Sequence, residues 1–441
     1  MQRQKRALRI DMLNTATAGG AAVAADRLHR GLLALGVESC LWHKPTRSGV
    51  SNDAFAGQPL DLAVPRWRHP FVSLATKVRD RRALKDRPPG LELYTMPWRG
   101  TTTCFDKSQL KGDVLHLHWV NRWLDWQSFF QSLPEQHPVV WTLHDMNPIT
   151  GGCHHADLCD GFQSGCGNCP QLSARQRGMT DISSQGFELK HRAYREKNLH
   201  IVTPSRWLEN QARRSLLTVD ATVQTIYNGL DLKQFSPGDR GSARRELGIP
   251  EDSTVVAFGA ASLGNRRKGA QEFYEAISSL PGSSKVVCLG FGDPAQMPSN
   301  SGSVDFRSTG FLRTPEELVR VYSASDFFVM PSLGENMPQT VVEAMACGIP
   351  TVAFSVGGIP EIVRPGETGL LAALQDCSEL ARHIQWMIDH PAERLEMGLR
   401  SRMLVCEEFD LDRQTGKYLR LYEQASQAAW FSASPEMLRS A

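Results

Sequence analysis

The sequence has 441 residues, 41% apolar and 22% charged, an ordinary globular composition that is too long for one hydrophobic core and sized for two domains. A formal net charge of +2 gives no reason to expect nucleic acid as a partner, and no run reaches the roughly 18 to 20 apolar residues of a membrane span. The 10 cysteines are too sparse for a disulfide scaffold. In chain order, the basic opening Met1-Gln-Arg-Gln-Lys-Arg6 leads straight into a strand pattern at 8–13. It has no apolar core or small-residue cleavage site, so no signal peptide is expected and the cytoplasm is the expected compartment. The turn Gly19-Gly20 follows, then a helix with Leu28, Leu32 and Leu35 on one face, stopped by Gly36.

Further strands are expected at 37–42, 114–119, 139–143 and 201–204. A second series begins at 223–227 and continues at 255–258, 286–289, 327–330, 351–354 and 369–371. Strands alternating with helical patterns predict an α/β fold with parallel sheets. Two such series joined near 228–237 predict two Rossmann-like domains facing across a cleft, over 1–218 and 219–410. A C-terminal helix and tail occupy 411–441, and the stretch 414–428 is expected to return to the first domain. Two segments break the alternation: 45–105, rich in Pro, Arg and Gly, and 146–186, which holds four cysteines among glycines. Loops of this length inside a compact domain usually serve function.

The most informative stretch is Pro331-Ser-Leu-Gly-Glu335-Asn-Met-Pro-Gln-Thr-Val-Val-Glu343-Ala-Met-Ala-Cys-Gly348-Ile-Pro350. The strand at 327–330 delivers the chain to its carboxyl end, where open α/β sheets bind ligands. Pro338 suits the first turn of a short helix, and Gly348 with Pro350 suits its stop. The N–H groups of Gln339, Thr340 and Val341 would then be free to face a ligand. Glu335 precedes this helix and Glu343 lies inside it. At that separation the two carboxylates bracket an extended ligand, because each can accept two hydroxyl hydrogen bonds from a vicinal diol.

These residues resemble glycosyltransferase family 4, whose members have two Rossmann-like domains (the GT-B fold) and retain the anomeric configuration. The family's E-x7-E pattern falls on Glu335 and Glu343. Thr203-Pro-Ser205-Arg-Trp, Tyr227-Asn228-Gly229-Leu-Asp231, Lys268-Gly269 and Gly357-Gly358-Ile-Pro-Glu361-Ile extend the likeness over nearly the whole chain. The resemblance implies that Glu335 contacts the donor sugar and Glu343 the nucleotide ribose. It places Lys268 on the donor phosphates, with Asn336, Gln339 and Thr340 on the donor side. It also implies an acceptor-side first domain and a nucleotide-sugar-side second domain. An arginine usually follows the strand at 255–258 in the family, whereas this sequence reads Gly259-Ala260-Ala261; Arg267 or Arg266 is expected to supply that charge. The donor implied is a UDP- or GDP-sugar, and the acceptor a saccharide or lipid-linked saccharide of cell-surface polysaccharide assembly.

On the N-terminal side, Gly19-Gly20 opens a helix where backbone N–H groups can approach a phosphate or the acceptor. Thr142-Leu143-His144-Asp145 resembles the family's histidine segment, which implies that His144 reaches the donor sugar. His116 and His118 are expected to alternate along their strand, so that at most one faces the cleft. Front-face attack, with the leaving diphosphate taking the acceptor's proton, fits a retaining transfer without an obvious nucleophile. No Asp-x-Asp motif for a metal-bridged diphosphate is present, so catalysis is expected to be metal-independent.

Cys153, Cys159, Cys166 and Cys169 give C-x5-C-x6-C-x2-C. The C-x2-C pair is a common half-site for structural zinc; an iron–sulfur site and reduced thiols packed among glycines are the competing readings. The segment 65–87 mixes aromatics with six basic residues between 77 and 87, suiting either peripheral contact with an anionic membrane or a solvated basic helix. Three other functions compete. Gly290-Phe-Gly292-Asp-Pro-Ala295 formally fits a dinucleotide fingerprint, but no helical apolar pattern follows and Pro294 breaks the turn. A same-fold sugar phosphorylase or nucleotide-sugar epimerase and a non-catalytic sugar-binding protein are the others; the pair Glu335/Glu343 with Lys268 argues for catalysis.

Overall fold

The computed structural model describes residues 8–45, 55–60, 78, 80–88, 90–98, 109–173, 181–259, 264–281, 285–293 and 304–433. The chain divides into two compact units, Met1–Tyr227 with Gln414–Ala441, and Asn228–Arg413. The first contains β1 (Arg9–Asn14), β2 (Glu38–His43), β3 (Gln58–Pro59), β4 (Val114–Leu117), β5 (Val139–Thr142), β6 (Leu199–Thr203) and β7 (Thr222–Thr225). They form one sheet in the order β3-β2-β1-β4-β5-β6-β7, and every described pairing is parallel. The strand order reverses between β1 and β4, the place where such a sheet opens a crevice at its carboxyl edge.

β7 corrects the expected start of the second series: it pairs with β6 and closes the first sheet. A short apolar run carries no mark of the sheet it joins, so periodicity alone could not assign it. β3 was not anticipated either, because its two residues are both exposed.

The two faces of the first sheet are filled separately. Leu13, Leu115, Leu117, Val139 and Trp141 pack with the helix Trp126–Ser132 and with Tyr194 on one face. Ile10, Met12, Val114, Val140 and Val202 pack on the other, against Leu28 and Leu32 of the helix Gly20–Ala34. That second face is completed by Tyr418, Leu421 and Tyr422 of the C-terminal helix Leu411–Ala433. The expected return of this helix to the first domain is thus present, and polar as well as apolar contacts hold it. Tyr422 Oη bonds with His116 Nδ1 at 2.7 Å, and Tyr418 Oη with Thr142 Oγ1 at 2.6 Å.

The second unit carries β8 (Thr254–Gly259), β9 (Val286–Phe291), β10 (Val304–Ser308), β11 (Phe327–Met330), β12 (Thr351–Phe354) and β13 (Gly369–Ala372). Their order is β10-β9-β8-β11-β12-β13, again parallel throughout, with its reversal between β8 and β11. At the amino-terminal end of β8, Asp326 accepts from the Val255 amide at 2.7 Å and from buried Arg244 at 2.8 Å. This fixes the edge opposite the candidate site. β10 was missed in the sequence because Val304-Asp-Phe-Arg-Ser carries only two apolar residues. After β9, the Gly292 amide donates to the Gly310 carbonyl at 2.9 Å, so that turn is committed to neighbouring backbone; the continuation from Pro294 lies outside the described residues. No helix among the described residues is long and apolar enough to cross a membrane.

Replacing Tyr422 with phenylalanine leaves the buried His116 Nδ1 without its partner, which should cost about 1–3 kcal/mol. Urea denaturation should show a lower midpoint at unchanged activity per folded molecule; an unchanged midpoint would contradict the bond's contribution.

Candidate functional site

In the second unit the site is built where β11 ends beside β8. β11 is buried throughout, and the chain leaves it through Pro331 into the loop that carries Glu335. Two glycines make room for this loop. Gly269 has φ +68°, and a Cβ there would lie 1.8 Å from the Pro331 carbonyl oxygen; Gly357 has φ +59°, and a Cβ would lie 1.7 Å from the Glu335 carbonyl oxygen. No side chain fits either place. The Gly358 amide donates to the same Glu335 carbonyl at 3.3 Å, and the Leu333 amide donates to the Arg267 carbonyl at 2.7 Å.

The basic turn is pressed on the other side of that loop. Asn265 caps it by accepting from the Arg267 amide at 3.0 Å. Lys268 Nζ then donates to Glu335 Oε1 at 2.6 Å, and Arg267 Nη1 lies 3.1 Å from the same oxygen. Arg267 also donates to the Gly334 carbonyl. Glu335 is only 8% exposed, and a carboxylate so far from water requires paired charge. Arg266 behaves differently: its guanidinium forks onto Glu272, with Nη1 to Oε2 at 2.7 Å. Of the two arginines expected to supply phosphate charge, the structure brings Arg267 to Glu335 and ties Arg266 to the following helix. Ala260 and Ala261, where the usual arginine is missing, lie outside the described residues.

Glu343 sits in the helix Gln339–Ala346, where it is buried. The helix ends as expected, with Gly348 at φ +78°. Arg402 holds its last turn, donating to the Ala346 carbonyl at 2.7 Å and the Phe235 carbonyl at 2.6 Å. One expected donor is corrected. The Val341 amide bonds to the Pro338 carbonyl at 3.2 Å, because Pro338 caps the helix from outside and does not form its first turn. Gln339 and Thr340 are half-buried, and Asn336 is buried.

In the first unit, the candidate residues lie just beyond the carboxyl ends of β1, β4 and β5. Gly19, at φ +92°, precedes the helix that Gly20 opens, and a Cβ at either glycine would meet nothing within 4 Å. His116 and His118 do not divide between the faces of the sheet. Residues two apart on a strand point the same way, and the two rings lie 4.2 Å apart. His116 Nε2 bonds with Thr142 Oγ1 at 2.8 Å, making it the hub between β5 and the C-terminal helix. His118 Nδ1 meets His144 Nε2 at 3.0 Å. Burial and the neighbouring imidazole of His144 push the His116 ring down to about 3. Burial lowers His144 to about 4 and His118 well below its ordinary value. All three are neutral near pH 7, so they present hydrogen-bonding edges and no charge.

Asp145 was not singled out from the sequence, yet it organises the next loop. It accepts from Trp119 Nε1 at 2.9 Å, His154 Nδ1 at 2.7 Å and the Asn147 amide at 2.8 Å. Burial pushes its carboxyl up, but His154 and the Asn147 amide outweigh this and hold it at about 2. The only sequence signal was its place beside His144. Most of the 65–87 segment lies outside the described residues. Arg87, at its end, stacks 5.1 Å from the Tyr94 ring and donates to the Gln171 carbonyl at 3.0 Å, so this cation serves the cysteine-bearing loop.

The family profile described as glycosyl transferases group 1 matches residues 252–390, the segment holding Lys268, Glu335 and Glu343. This segment is similar to the group 1 glycosyltransferases. It is 29% identical over 345 residues to a D-inositol 3-phosphate glycosyltransferase of Mycobacterium sp. (strain KMS), covering 72% of this chain and 70% of that protein. Its fold is that of sucrose-phosphate synthase from Thermosynechococcus elongatus, with TM-score 0.65 and 22% identity over 97% of this chain and 100% of that one. Anabaena Alr3699/HepE, solved in complex with UDP, superposes with TM-score 0.63 and 15% identity over 95% of this chain and 100% of that one. The same Anabaena protein has also been solved with UDP-glucose. The two parallel sheets are therefore the two Rossmann-like halves of a GT-B fold.

The histidines give a pH dependence with a definite sign. Their folded values lie below the ordinary 6.5, so the unfolded chain takes up protons first as pH falls. Stability present above about pH 6.5 should be lost as pH drops towards about 4, by on the order of a few kcal/mol. Denaturation midpoints measured across this range should fall, and the His116→Gln variant should show a shallower fall. Equal slopes in the two proteins would contradict the assignment.

Proposed function

We propose that this glycosyltransferase moves a sugar from a nucleotide-diphosphate sugar, a UDP-sugar first, to a saccharide or lipid-linked saccharide acceptor, with retention at the anomeric carbon. One observation carries the reading: Arg267 and Lys268 converge on the Glu335 carboxylate at the strand-order reversal of the second sheet. Diphosphate oxygens can take the place of that carboxylate on the two cations. Glu335, released from them, accepts from hydroxyls of the donor sugar, and Glu343 takes the ribose diol. The helix that begins at Gln339 turns its positive end to the phosphates. The donor belongs to the second unit, and the acceptor to the first, by way of Gly19, Gly20 and the His118–His144 pair. The UDP and UDP-glucose complexes of the Anabaena neighbour support UDP as the first base to try.

As the bond from the anomeric carbon to the leaving oxygen breaks, negative charge grows on the diphosphate. Fixed cations aimed at that charge stabilise the transition state more than the ground state. The acceptor hydroxyl attacks from the leaving group's side and gives its proton to the departing diphosphate. Arg267, Lys268 and the helix terminus supply the positive charge in this scheme, so no divalent ion is required, and transfer should survive chelator. The basic, aromatic stretch 65–87 would rest the enzyme on an anionic membrane that displays a lipid-linked acceptor.

Lys268→Ala should lower kcat about 10²–10³-fold, the range found when one donor to a developing oxyanion is removed. Folding stability should fall by only about 1 kcal/mol, because Arg267 remains on the Glu335 carboxylate. Turnover of UDP-glucose and other UDP-sugars by coupled UDP release provides the measurement. Unchanged kcat would remove Lys268 from the reaction.

A further inference from the structure

Cys153, Cys159, Cys166 and Cys169 all line one small cavity in the loop that follows His144-Asp145, with Tyr94 and Phe162 in its wall. All four thiols are free of disulfides.

Three of the sulfurs have donors aimed at them. The Gly161 amide donates to Cys159 Sγ at 3.5 Å and the Gly151 amide to Cys166 Sγ at 3.2 Å. Cys169 accepts from the Gln171 amide, and Tyr94 Oη approaches its sulfur at 3.9 Å. Two of these amides lie two residues after the cysteine they serve. A neutral thiol is a weak acceptor that gains little from such donors, whereas a thiolate is held by them. Next to the cluster, the side chain of Lys190 is wholly buried and donates to the Thr150 carbonyl at 2.8 Å and to the Asn147 carbonyl, tying the helix Ile182–Tyr194 to the cysteine-bearing loop. In this structure no three His, Cys, Asp or Glu side chains among the described residues stand together at ligating spacing. Ligation therefore requires the sulfurs to turn inward about the cavity.

We propose that Cys153, Cys159, Cys166 and Cys169 bind one zinc ion tetrahedrally and staple the loop that Asp145 and His154 anchor. Four S–H bonds break as four Zn–S bonds form; four protons leave, and the site has a net charge of 2−. The ion is structural, since all four positions are filled by protein.

The test is elemental analysis of the full chain, purified without chelator from zinc-supplemented medium. About one zinc per chain is expected, as is the strong visible absorption of a tetrahedral thiolate site after cobalt exchange. Substituting both Cys166 and Cys169 with serine should abolish binding, while Cys406→Ser, at an exposed position outside the loop, should keep it. Less than about 0.2 zinc per wild-type chain, with no cobalt spectrum on reconstitution, would overturn the proposal. So would an iron chromophore, or disulfides among the four cysteines in freshly purified protein.

Discussion

The candidate site of the second unit depends on one arrangement of charge, the Glu335 carboxylate held against Arg267 and Lys268. The rest of the second unit serves to make that arrangement. β11 brings the loop to the edge of the sheet, Asn265 winds the basic turn, and Gly269 and Gly357 let two backbones touch the loop from either side. A carboxylate that is nearly buried would cost several kcal/mol without its cations. Both cations keep part of their surface exposed, at 18% for Arg267 and 24% for Lys268, so an incoming anion can reach them. Two cations on one carboxylate leave the group with a net positive charge.

The first unit solves a different problem, holding uncharged imidazoles in place. His116 is spent on structure: Thr142 and Tyr422 take its two nitrogens and lock the C-terminal helix to the sheet. His118 shares its face and passes the constraint to His144 through one hydrogen bond. Asp145 then fastens the next loop through Trp119, His154 and Asn147. Orientation in this half comes from buried neutral hydrogen bonds, whose partners are costly to lose.

Much of this was legible in the sequence, for identifiable reasons. The buried central strands are continuous apolar runs, so 255–258, 286–289, 327–330 and 351–354 announced themselves. The short edge strands β3 and β10 did not, having too little apolar surface to show a period. The run at 223–227 showed a strand but not which sheet would take it. Glu335 and Glu343 stood out because a strand, a proline and a glycine stop frame them, and Lys268 because it follows the strand at 255–258 in a basic run that resembles the family's. Sequence could not separate Arg266 from Arg267, since only the three-dimensional turn sends one to Glu272 and the other to Glu335. Nor could it reveal Asp145 or Lys190, whose roles arise from contacts made after folding.

In the proposed function, a diphosphate and the Glu335 carboxylate compete for the same two cations. Calorimetric titration of UDP into the wild type, Glu335→Gln and Lys268→Ala measures that competition directly. With the competing carboxylate neutralised, Glu335→Gln should bind UDP at least as tightly as the wild type while losing sugar transfer, and Lys268→Ala should bind it more weakly. If Glu335→Gln instead weakened UDP binding as much as Lys268→Ala does, the carboxylate would be a partner of the nucleotide and not its rival, and the account would fail.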